Sequence, residues 1–156
     1  MSNDPDSAFA PQIIPVVAEL RHHPAHNLVA WRPTGILDDL LLDQIGEWLC
    51  AAEKESLPFH RFIDFSGLTH LALTTRHVFA FAERRTEQLA GMQRVNSALF
   101  SDEWVSFSIA RLYEELMADT WINVRAFQDR AKAAAWLVVP VEILSVEASI
   151  PGSGAA

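Results

Sequence analysis

Hydroxyl and imidazole side chains are concentrated at residues 66–74, where Ser66, Thr69, His70 and Thr74 lie close together in the sequence. An imidazole beside a Ser or Thr hydroxyl is the pairing in which a general base activates an oxygen nucleophile. The sequence has no Gly-x-Ser-x-Gly motif and no acidic residue at a telling spacing that would complete such a site. We therefore interpret the four residues as a polar ligand site, and keep a small hydrolase-like or transferase-like enzyme using His70 as the alternative.

Two adjacent threonines, Thr74 and Thr75, stand where a helix-like pattern begins. A phosphate on either residue would meet the positive end of the helix dipole, which favours an anion. Threonine is also a routine helix-capping residue. We interpret Thr74 as a cap, and a phosphorylation switch at Thr74 or Thr75 stays open as a second alternative.

Three aromatic residues supply the apolar part of the candidate ligand site: Phe79, Trp104 and Phe107. Val105 and Ile109 belong to the predicted apolar stripe of the third helix. Trp104 and Phe107 fall outside that stripe. Large aromatic side chains outside a core stripe are suited to lining a pocket or contacting a protein. The three residues predict a site at the edge formed by the second and third helices.

A metal or cofactor site is not expected. His22, His23 and His26 are close together and could bind zinc or nickel, but they fall in a turn composition without a distant ligand. No glycine-rich phosphate loop is present in the sequence.

Composition narrows the function classes. Twelve Lys and Arg against twenty Asp and Glu give a net charge of −8, which argues against binding nucleic acid or anionic membranes. Arg84 and Arg85 lie beside Glu83 and Glu87, and we interpret them as a solvated ion-pairing face.

A single cysteine, Cys50, excludes an internal disulfide. With no apolar run of about 18 residues and no signal-like N-terminus, we expect no transmembrane segment and a cytoplasmic location.

The elements that position these residues alternate between strand and helix. Strands are predicted within 16–22, 28–32, 61–65, 94–100 and 121–127, and a loop over 66–73. The predicted helix caps are Asp38, Thr74, Ser101 or Asp102, and Asp129. This order predicts an α/β fold: a five-stranded, mostly parallel sheet with an N-terminal β-hairpin and four main helices. We divide the chain into a flexible leader (1–12), one domain (13–139) and a flexible tail (140–156).

Five short segments, taken in their order, resemble one family. They are LVAWRPTGIL (28–37), RFIDFSGL (61–68), IARLYE (109–114), VRAFQD (124–129) and AWL (135–137). The series is similar to the SpoIIAA-like fold of STAS-related proteins, in particular the bacterial STAS/SEC14-like group, over residues 13–139.

The resemblance implies a non-enzymatic binding or regulatory module. Regulatory STAS proteins carry an Asp-Ser-Ser-Gly-like phosphorylation motif at the second helix, where this chain has Ala72-Leu73-Thr74-Thr75. The likeness to SEC14-type domains implies a small apolar ligand, lipids included. We therefore expect a protein partner or a small apolar ligand, with a homodimer as a further option.

Overall fold

The structure is a computed structural model that describes residues 19–145. The predicted leader (1–12) and the first residues of the predicted domain lie outside the described residues. The seven strands and four helices have the following bounds: β1 Arg21–His23, β2 Leu28–Trp31, β3 Gly35–Asp38, α1 Asp39–Glu55, β4 His60–Asp64, β5 Leu68–Ala72, α2 Thr75–Leu89, β6 Val95–Phe100, α3 Trp104–Leu116, β7 Ile122–Phe127 and α4 Arg130–Leu137.

The main sheet has five strands in the order β1-β2-β4-β6-β7. β1 and β2 form an antiparallel hairpin around a short 3-10 turn at Pro24–His26, and the remaining neighbours are parallel. Each strand pair from β2 to β7 is joined by a crossover that contains a helix, as parallel pairing requires. The predicted fold class, a five-stranded mostly parallel sheet with an N-terminal hairpin and four helices, is confirmed.

A second, two-stranded parallel sheet pairs β3 with β5. The prediction of a loop over 66–73 is therefore wrong for Leu68–Ala72, which form β5. Both strands are only four or five residues long, and their pairing joins parts of the chain that lie far apart in sequence. Gly35 begins β3 with a φ of 81°, a conformation that glycine adopts without steric cost.

The two faces of the main sheet carry separate cores, because side chains alternate along each strand. One face packs against α1 and α3 through Val29, Trp31, Ile63 and Leu99. The opposite face packs against α4. Helix α2 packs on α1 and α3.

Side-chain caps begin each of the four helices. Asp38, Thr74 and Asp129 accept backbone N–H groups, as predicted from the sequence. For α3 the prediction of Ser101 or Asp102 is wrong, since Glu103 accepts from the N–H groups of Val105 and Ser106, both at 2.9 Å. The Ser101 hydroxyl instead accepts the N–H of Glu103.

The described start of the predicted tail, residues 140–145, packs on the domain. Val141–Leu144 form a 3-10 turn, and the Leu144 side chain is fully buried in the α4 core. The packed domain therefore extends past residue 139. Residues 146–156 lie outside the described residues.

Candidate functional site

A cavity of about 80 Å³ lies between the main sheet and helices α1, α2 and α3. Leu37 of β3 and Leu71 of β5 also line it, so the small sheet forms part of its wall. Most of its lining is apolar: Trp31, Leu37, Leu42, Ile45, Leu49, Ile63, Phe65, Leu71, Leu73, Val78, Phe81, Leu99, Ile109, Ala110 and Ile122. The remaining lining residues are Arg61, Arg85, Ser97, Ser106 and Tyr113.

Helical spacing brings the α2 and α3 residues to the cavity. Val78, Phe81 and Arg85 lie at positions i, i+3 and i+7 of α2, and Ser106, Ile109 and Tyr113 repeat that spacing on α3. Residues at these spacings share one face of a helix. The inner faces of both helices therefore meet across the same space.

One region of the cavity wall is built from a buried cluster of charges. Glu53 of α1 accepts hydrogen bonds from Arg61 Nη1 at 2.5 Å and from Arg85 Nη1 and Nη2 at 2.9 and 2.6 Å. The three side chains are almost fully buried. Gln88 accepts a further bond from Arg85, and Arg61 lies over the Phe59 ring. One carboxylate is thus hydrogen-bonded to two guanidinium groups.

The environment shifts the ionisation of this cluster. Burial raises the pKa of Glu53, but hydrogen bonds and positive charge from Arg85 and Arg61 outweigh burial and hold that pKa below its ordinary value. Burial also raises the pKa of Tyr113, against the opposing effect of both arginines. The Tyr113 phenol therefore keeps its proton at neutral pH and can donate a hydrogen bond.

A second cavity, of about 240 Å³, lies on another side of Arg61. Its lining comprises Glu53, Pro58, Phe59, Arg61, Leu89, Met92, Gln93 and Val95. Glu53 lines this second cavity and does not line the first. Arg61 therefore lines both cavities, whereas Arg85 lines only the first and Glu53 only the second.

The predicted polar residues do not form a catalytic arrangement. Ser66 accepts a hydrogen bond from Arg32 Nε at 3.3 Å, and Thr69 and His70 lie exposed on β5. Within residues 19–145, no hydrogen bond joins His70 to Ser66, Thr69 or Thr74. The geometry that the enzyme alternative requires is not found here.

Thr74 acts as the cap of α2. Its hydroxyl accepts the N–H of His77 at 3.2 Å and donates to Asp39 Oδ2 at 3.0 Å, while its own N–H reaches Asp39 Oδ1. A phosphate on this oxygen would face the Asp39 carboxylate, and like charges repel. Thr75 is the exposed first residue of α2.

The predicted aromatic residues lie at the surface. Phe79 is 47% exposed and Trp104 is 69% exposed, and Phe107 packs its ring beside Trp104 at a centroid distance of 6.2 Å. None of the seven predicted ligand-binding residues lines either cavity. Phe79, Trp104 and Phe107 lie on α2 and α3, the same two helices that contribute residues to the first cavity.

The sequence interpretation missed the buried charges beside the cavity. The interpretation of Arg85 as part of a solvated face is wrong, because Arg85 is buried and bound to Glu53. Arg84, its neighbour, is half-exposed near Asp43. Arg85 shares a helical face with Val78 and Phe81, and that spacing was the available signal for its burial.

Within residues 19–145, no group of three or more His, Cys, Asp or Glu side chains is arranged to hold a metal ion. No helix there is both long enough and apolar enough to cross a membrane.

No protein-family model matches the chain, and no curated protein matches it. The solved structures similar to it include an uncharacterised protein of the DUF3478 family with a SpoIIAA-like fold, from Shewanella loihica PV-4. The two chains are 18% identical with a TM-score of 0.46, over 70% of this chain and 83% of that one. Its description names the fold that the sequence resembles, and names no ligand, partner or activity. The α/β architecture given above rests on the strand order of this chain itself.

Proposed function

We propose that this protein is a non-enzymatic binding module whose internal cavity takes a small apolar ligand. The observation that carries the proposal is the cavity between the main sheet and α1–α3, whose lining is mostly Leu, Ile, Val, Phe and Trp. Ligand sites are typically concave and apolar with a few polar groups at fixed positions. A protein partner, a second copy of this chain included, stays a prediction from the sequence.

The volume of the cavity sets the size of the ligand. An engineered cavity of roughly 150 Å³ lined by Leu, Ile and Phe stays dry and binds benzene. At about 80 Å³ the present cavity matches a chain of a few carbon atoms. Burying such a chain is favourable by about 0.8 kcal/mol for each CH₂ group.

The chemistry of the lining supports binding rather than catalysis. Among residues 19–145, the side chains around the cavity include no carboxylate, imidazole or thiol. General acid–base and nucleophilic catalysis rely mainly on such groups. The serine hydroxyls of Ser97 and Ser106 lie in the lining without a neighbouring base among the lining residues.

Filling the cavity tests the proposal. Ala110 is buried on α3 and lines the cavity, so Ala110→Leu would place three more carbon atoms in it. We expect butan-1-ol to give saturable amide shifts in an NMR titration of the natural protein, and at least tenfold weaker binding to A110L.

The matched control is Ala80→Leu, which adds the same atoms at an exposed position of α2. A80L should bind butan-1-ol as the natural protein does. The proposal is contradicted if the natural protein shows no saturable binding, or if A110L binds as well as A80L.

A further inference from the structure

The charges around the central cavity are unbalanced. The ionisable lining residues within the described part of the chain are Arg61, Arg85 and Tyr113, and none of these is an anion at neutral pH. The only carboxylate bound to either arginine among the described residues, Glu53, lines the second cavity instead. Two buried arginine side chains therefore stand in the wall of this cavity, although the surface exposed inside it is almost entirely apolar.

The hydrogen bonds of the two guanidinium groups show which of them has spare capacity. Arg85 makes two bonds to Glu53 and one to Gln88. Arg61 makes one bond to Glu53 and a long one, 3.4 Å, to the carbonyl of Phe59, and its buried Nε has no partner among residues 19–145. A buried charge with unfilled donors is costly unless an acceptor reaches it.

We propose that the ligand of the central cavity is a short aliphatic carboxylate, with its chain among the apolar residues and its carboxylate facing Arg61 and Arg85. This inference rests on the proposed function and adds the charge of the ligand to it. A carboxylate would bring the buried cluster from a net charge of +1, two arginines against Glu53, to neutrality. The Tyr113 phenol would add a neutral donor to the same region.

Attraction between the ligand and Arg61 has to exceed the cost of removing the carboxylate from water. Isolated buried ions are strongly unfavourable, but hydrogen bonds between guanidinium and carboxylate groups are among the strongest in proteins. Because Arg61 and Arg85 are already desolvated in the free protein, only the ligand loses its water on binding. An alcohol of equal length would bind through its chain alone, and an amine would meet like charge.

Three four-carbon probes separate these cases: butanoate, butan-1-ol and butan-1-amine, titrated into the natural protein at pH 7 and followed by NMR. We expect butanoate to bind at least tenfold more tightly than butan-1-ol, and butan-1-amine to show no saturable binding. Equal affinity of butanoate and butan-1-ol overturns the inference and leaves the proposed function standing. If neither binds, the proposed function fails and the inference fails with it.

A substitution then assigns the preference to Arg61. Arg61→Met leaves Glu53 paired with Arg85, so the remaining cluster is neutral. We expect R61M to lose most of its preference for butanoate, measured as the ratio of the butanoate and butan-1-ol affinities of the same variant, while Arg84→Met, at a half-exposed neighbouring position, keeps that ratio. A preserved preference in folded R61M overturns the assignment; if R61M does not fold, the probe comparison on the natural protein decides alone.

Discussion

At the scale of single residues, Glu53 is the side chain on which the buried cluster depends. It is the only carboxylate within hydrogen-bond distance of Arg61 and Arg85 among the described residues, and all three are almost fully buried. Removing one partner of a buried ion pair is far more costly than removing a surface pair, because the remaining charge loses its counterion. Here a single substitution would leave two buried cations facing each other.

We therefore expect Glu53→Gln to destabilise the protein by about 3–5 kcal/mol. The free energy of unfolding from urea denaturation at pH 7 measures the effect. Glu47→Gln, at an exposed position of the same helix, is the control and should change stability by less than about 0.5 kcal/mol. Equal stabilities of the two variants would contradict the role given to Glu53.

The same residue makes stability depend on pH in a defined direction. The pKa of Glu53 in the folded protein lies below its ordinary value of 4.5, so the unfolded chain takes up the proton first as the pH falls. The stabilisation from the ionised carboxylate is complete above pH 4.5 and is lost as the pH falls from there through the folded pKa. Between these limits E53Q should show a flatter dependence of unfolding free energy on pH than the natural protein. Parallel curves would contradict this.

At the scale of elements, the start of α2 is joined to the start of α1. Thr74 caps α2 and at the same time donates its hydroxyl to Asp39, in the first turn of α1. Asp43 of α1 also lies 2.8 Å from His77 Nε2 of α2. These contacts hold together two of the helices that enclose the cavity.

We expect Thr74→Ala to lower the free energy of unfolding by about 1–2 kcal/mol, because both the cap and the contact with Asp39 are lost. Thr74→Ser should retain most of the stability, since its hydroxyl can make the same bonds. Thr75→Ala is the matched control at the exposed next position. Urea denaturation curves of the three variants measure these free energies of unfolding. If T74A is as stable as T75A, the capping role of Thr74 is contradicted.

Local sequence signals predicted the helix caps better than they predicted the pairing of short strands. Asp38, Thr74 and Asp129 were predictable as caps, since a cap is a contact within three residues. Glu103 was missed because a shorter, more usual capping residue stands on its N-terminal side at Ser101 and Asp102. The β3–β5 pair was missed because neither strand is stable alone, and their pairing connects residues about thirty positions apart.

At the scale of the whole molecule, the sheet separates two cores with different roles. The face covered by α1 and α3 encloses the cavity. The opposite face, covered by α4 and residues 141–144, is a packed cluster that includes Leu28, Phe62 and Leu144. The proposed ligand site lies on the first face.

Leu144→Ala tests whether the segment after α4 belongs to the domain. Leu144 is fully buried, whereas Val141 in the same 3-10 turn is 38% exposed. We expect L144A to cost about 2–5 kcal/mol of stability, through lost burial and the cavity left behind, and V141A to cost much less. Thermal or urea unfolding measures both, and similar small losses would show that the segment contributes little.

The sequence by itself determined which segments form the five main strands and the four helices, the hairpin, and three of the four caps. These follow from periodic hydrophobicity and short-range hydrogen bonds, which involve neighbouring residues. Only the tertiary structure decided that Arg85 is buried, that Glu53 joins it to Arg61, and that a cavity lies beside them. Arg85 and Glu53 are 32 positions apart, so no local pattern pairs them, even though the spacing of α2 places Arg85 on the same helical face as Val78 and Phe81. The empty space arises from the fit of side chains contributed by several elements, which no single segment encodes.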